Sequence, residues 1–165
     1  MRRTAAVLII LFLADLGFAG QGLVSLLVAV LGVGLLTIKA LWAAVRGGSK
    51  ALIRSRTMRA GMYLLLGIAT VATMRFHTAT AQNHAAQVIA ACRAYQARHG
   101  TLPDRLADLV PDFLPAVPKA KYTAQWGEFS YWASDHQTHT LMYVALPPFG
   151  RRLYHFEQAR WSPLD

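Results

Sequence analysis

The sequence predicts an α+β protein: apolar N-terminal helices, then one long helix that continues into a small domain with a short helix and a three- or four-stranded antiparallel sheet. Three observations carry this. Between Thr4 and Ile38 the only charged residue is Asp15. Residues 59–100 run without a proline, apolar at first and one-sided afterwards. Beyond Gly127, two runs rich in aromatic and β-branched residues flank a short polar stretch.

The first apolar run is too long for a single span of about 20 residues. Gly17, Gly20, Gln21 and Gly22 supply a break. The expectation is a membrane hairpin, with helices over about 4–18 and 23–45, inside a region 1–59 that ends in a basic loop. Five of the fourteen residues in 46–59 are Lys or Arg, which holds that loop in the cytoplasm together with Arg2 and Arg3. Residues 60–76 then make a third transmembrane span, and residues 77–165 form a periplasmic domain on an inner-membrane anchor. An alternative takes residues 1–19 as a cleaved signal peptide, with Gly17-Phe18-Ala19 as the cleavage site, and leaves the C-terminal domain on the same side. Asp15 is the one acid in these spans, a candidate intramembrane polar site or an interfacial residue beside a turn.

The formal charge of +9 divides unevenly: +8 on residues 1–76 and +1 on residues 77–165. The downstream domain therefore lacks the basic face that nucleic acid binding needs, and the excess sets membrane orientation instead. The expected partners are membrane lipid and other proteins. A single cysteine, Cys92, excludes an internal disulfide and reads as a small buried residue.

In the second half of the long helix, Ala85, Val88, Ile89, Cys92 and Tyr95 recur at three- and four-residue steps. His84, Gln87, Ala91, Ala94 and Arg98 take the opposite face. Gly100, with Pro103 behind it, stops the helix. Leu102, Leu106, Leu109 and Val110 predict a short amphipathic helix, with Pro103 in its first turn and Pro111 at its end. Phe113, Leu114 and Val117 predict an irregular segment pressed on the core. Residues 128–133 and 138–145 predict a hairpin about the turn 134–137, and 152–157 a third strand.

This order of features resembles type IV pilin-like proteins, above all the major pseudopilin of type II secretion systems. The resemblance rests on Ala94-Tyr95, His99-Gly100-Thr101-Leu102-Pro103, the leucine-rich segment to Pro111, Phe113-Leu114, and Trp126-Gly127 followed by Phe129 and Tyr131. It covers roughly residues 60–145 and implies a pilin-like head with a non-enzymatic, protein-binding role in pilus or secretion assembly. The chain departs from the pattern at the leader. Gly61-Met62 stands where the family is cut, yet the fifth residue from Met62 is Leu66 where the family has glutamate. Two further apolar segments precede it, so the resemblance does not extend to stacking as a filament subunit. Gln125 replaces the aspartate before Trp-Gly, and the family's calcium site is not carried over.

No phosphate-cradling glycine loop, H-E-x-x-H or G-x-S-x-G motif is present, so no cofactor and no catalytic group is assigned. Asp135, His136 and His139 form a thin metal-like cluster that falls short of the three or four ligands a site needs. Trp126, Tyr131, Trp132 and Tyr143 are the candidate interaction surface, set against the plainer role of aromatic core. The competing functional class is a membrane-anchored sensor or ligand-binding module, and a third is an intramembrane enzyme or transporter centred on Asp15.

Overall fold

The computed structural model describes residues 2–19, 22–133, 138–146 and 149–164. The fold is α+β, long N-terminal helices followed by a four-stranded antiparallel sheet. It divides into two compact units, Met1–Arg75 and Phe76–Asp165.

In the first unit, helix α1 (Arg2–Phe12) passes into a π-helical segment, Leu13–Ala19, where an ordinary helix to residue 18 was expected. The wider winding accompanies burial of Asp15, whose Oδ2 accepts the backbone N–H of Ser25 at 2.7 Å. Helix α2 spans Leu23–Val45, the bounds read from sequence. Gly22, before it, lies at φ +69 with Thr70 and Met74 so close that a Cβ there would be 2.9 Å from Met74 Sδ.

Helix α3 spans Lys50–His99 and is therefore longer than the sequence reading made it. The basic loop expected over 46–59 shrinks to four residues, 46–49. Residues 50–59 hold no glycine or proline and are mostly good helix formers. Ser49 also caps the first turn, its Oγ accepting the Leu52 N–H at 3.3 Å. Within this unit α2 and α3 run antiparallel. Gly32 meets Tyr63, Ala29 meets Gly67, and Gly22 meets Thr70. A Cβ on Gly32 would come within 2.3 Å of the Tyr63 ring, so the crossing depends on that glycine. Leu8, Ala29 and Leu66 form the small core, and most large apolar side chains point outward.

The second unit is built on residues 76–99 of α3. Ala81, Ala85, Val88, Ala91 and Cys92 are buried against Leu141, Tyr143, Tyr154 and Phe156. Ala91 thus belongs to the buried face, not the opposite one, because the stripe is wide enough to include a methyl at its margin. Fully buried Phe156 and Leu141 each contribute about 1.5–3 kcal/mol relative to exposure. Gly100 ends the helix at φ +84, donating its N–H to Gln96 O.

The expected amphipathic helix is only a short 3-10 segment, Leu106–Leu109, closed by Arg105 and Asp108. Pro103 lies before it, buried, with its carbonyl accepting the Tyr131 hydroxyl at 2.7 Å. Leu102 and Leu109 are buried, whereas Val110 is exposed.

The sheet is a meander of β1 (Ser130–Ala133), β2 (His139–Leu146), β3 (Phe149–His155) and β4 (Arg160–Leu164). Register aligns Tyr131, Leu141, Tyr154 and Trp161 in one row across all four strands. β1 ends its pairing at Met142, while β2 runs on to Leu146. Beyond that point the buried Lys121 stands in for a strand: its Nζ donates to Ala145 O at 2.5 Å. Such an inward lysine protects an open sheet edge. Gly127 closes the loop behind it by accepting the Lys121 N–H at 3.1 Å, in a space where a Cβ would strike the Thr123 and Lys121 carbonyls.

Candidate functional site

A polar cleft of about 490 Å³ lies in the second unit at the C-terminal end of α3, lined in part by Arg93, Gln96, Asp104, His139, Phe156 and Glu157. Arg93 flanks the apolar stripe, one residue beyond Cys92. Its guanidinium donates to Gln96 Oε1 at 3.0 Å and to Phe156 O, and lies over the Phe156 ring. The Glu157 carboxylate accepts both the backbone N–H of His139 at 2.8 Å and its Nδ1–H at 3.1 Å. Desolvation opposes ionisation of Glu157. The His139 amide, its own N–H and the imidazole outweigh it, so the carboxyl is held below its ordinary value.

A fixed guanidinium, a carboxylate and an imidazole whose Nε2 has no hydrogen bond among the described residues can bind a polar group of mixed charge. Among the described residues of the lining, Thr101 carries the one hydroxyl. Arg93 and Glu157 were not singled out from sequence. The signal for Arg93 was its place at the edge of a buried face; Glu157 had none, since its partner is eighteen residues away.

The sequence candidates are dispersed. Tyr143 is buried, with its ring near Phe129 and Trp161. Tyr131 is half-buried and its hydroxyl is taken by Pro103. Burial pushes the hydroxyls of both tyrosines above the usual phenol range. Trp126 and Trp132 are exposed, the former in a left-handed conformation at φ 58. The four aromatics thus do not share one exposed surface: two serve the core. Asp135 and His136 lie outside the described residues, and His139 is committed to Glu157. Among the described residues no group of three or more His, Cys, Asp or Glu can hold a metal.

On β2, β3 and β4, Thr140, His155 and Ser162 form a polar chain. His155 Nε2 meets Ser162 Oγ at 2.9 Å, and Nδ1 approaches Thr140 Oγ1 at 3.5 Å. Among the described residues no carboxylate meets this imidazole, whose partners are the two hydroxyls. Cys92 is buried, and its thiol is pushed up to about 12, far from the thiolate range.

Asp15 is 7% exposed and engaged as the acceptor for the first turn of α2. Ser25 Oγ beside it is buried without a partner among the described residues. The carboxylate thus caps the first turn of α2.

Comparison with protein-family models, curated proteins and solved structures finds no match to this chain.

Proposed function

We propose that the chain is a non-enzymatic inner-membrane protein whose first unit anchors it in lipid and whose second unit is a periplasmic protein-interaction head. One observation carries the reading. Helix α3 is a single element of 50 residues that serves as an outward-greasy helix in the first unit and as the spine of a core in the second. Two helices, Leu23–Val45 and Lys50–His99, are long and apolar enough to cross a membrane. Ile10, Leu35, Ile38, Leu41 and Leu65 stand exposed on the first unit, where water would penalise them and lipid would not. Arg2, Arg3 and Arg46 to Arg59 supply the inward-facing charge.

The likeness to pseudopilins in residues 60–145 assigns the partner class: membrane proteins of pilus or secretion assembly. In-cell crosslinking of the full-length membrane-embedded protein, followed by identification of adducts, tests this. Adducts to inner-membrane assembly proteins through the head are expected; a head that crosslinks to nothing overturns the role.

The cleft of Arg93, His139 and Glu157 favours a second reading, a membrane-anchored ligand-binding module. Under it, Arg93→Ala abolishes function while the crosslinking pattern stays unchanged.

A further inference from the structure

The first unit carries an open groove of about 750 Å³ between α2 and α3, lined almost wholly by apolar side chains that include Leu26, Val33, Tyr63, Ile68 and Val71. Its one cationic lining residue is Arg75, at the end where α2 begins. Arg75 makes no hydrogen bond or ion pair among the described residues. From Tyr63 to Arg75 the groove follows twelve helical steps, ~18 Å. A single leaflet of hydrocarbon is about 15 Å deep. The groove therefore has the length of one acyl chain and the charge of one headgroup contact.

We propose that this groove seats one phospholipid of the outer leaflet, an acyl chain lying between α2 and α3 and the phosphate on the Arg75 guanidinium. The inference rests on the membrane reading above. Charge complementarity selects this occupant over a second protein helix. An apolar helix would leave Arg75 unpaired beside it, whereas a phosphate accepts two parallel N–H bonds from the guanidinium. Gly34 lines the same groove, and a Cβ there meets nothing within 4 Å, so the space can be filled by substitution without a clash in the backbone.

The test uses the full chain in phosphatidylcholine nanodiscs doped with a phosphatidylglycerol bearing a diazirine in its acyl chain. Photolabelling should concentrate on Ile68, Val71 and Val33. Arg75→Gln should lower the yield about fivefold, and Gly34→Phe should lower it by a similar factor. Label spread equally over Ile10 and Leu41, or yields unchanged in both variants, overturns the site. A Gly34→Cys protein that forms dimers in place of lipid adducts also overturns it, by showing a second copy in the groove. Extraction of the native protein by alkaline carbonate would instead sink the membrane reading, and so separates the two failures.

Discussion

Lys121 shows what one buried charge does to the head. Burial lowers its ammonium from the usual lysine range to about 8. Between pH 8 and its ordinary value near ~10.4 the unfolded chain binds more protons than the folded one, so stability rises with pH across that window. The effect is on the order of 3 kcal/mol. His77 acts in the same direction lower down. Burial, and then the nearby Lys121 charge, depress its value, so protonation below about 6.5 favours unfolding. Thermal melts of the detergent-solubilised protein should show stability rising up to about pH 6.5 and again from pH 8 to pH 9, above which the buried Cys92 thiol, kept protonated by the fold, offsets the Lys121 rise. Lys121→Met should flatten the alkaline limb; an unchanged limb would deny the burial. Asp15 makes the complementary case. Asp15→Asn keeps an acceptor for the Ser25 N–H and should cost little, while Asp15→Leu orphans that donor and should cost about 1–3 kcal/mol. Equal melting temperatures for the two variants would remove the cap from the account.

Among the elements, α3 decides the most. Ala79 is exposed, so Ala79→Pro removes a helical hydrogen bond without disturbing the core. It should cost ~3 kcal/mol, against ~1 for Ala79→Gly, read from the near-UV signal of the head aromatics. Periodicity made most of this helix legible, and the glycine at its end was legible from turn chemistry. The start at Lys50 was not, since charge clustering suggested a loop while the residues themselves favour helix. The π segment around Asp15 goes with a hydrogen bond to Ser25, across a turn, that helical periodicity does not register, and the 3-10 turn at Leu106–Leu109 is set by the local Arg105–Asp108 cap. β4 stayed hidden because Pro163 lies within it; the strand is at the sheet edge, where a missing N–H is tolerated. The cleft was legible only at His139. Its other members come from α3, from the loop 100–104, from the end of β1 and from the residues just past β3, and only the folded sheet unites them.

At the scale of the whole molecule, composition and structure divide the chain in nearly the same place. The charge excess ends at residue 76, and the first compact unit ends at Arg75. An outward-apolar unit and a unit with its own core then share one helix, and that sharing motivates an anchor with a presented head. Because Cys92 is buried and held as a thiol, single cysteines placed elsewhere report accessibility without interference. The most direct measurement is labelling of Ala51→Cys and Gln158→Cys proteins by a membrane-impermeant maleimide in intact spheroplasts. The account predicts that Gln158→Cys reacts at once and Ala51→Cys only after lysis; equal reaction of both before lysis, or protection of Gln158→Cys, would contradict it.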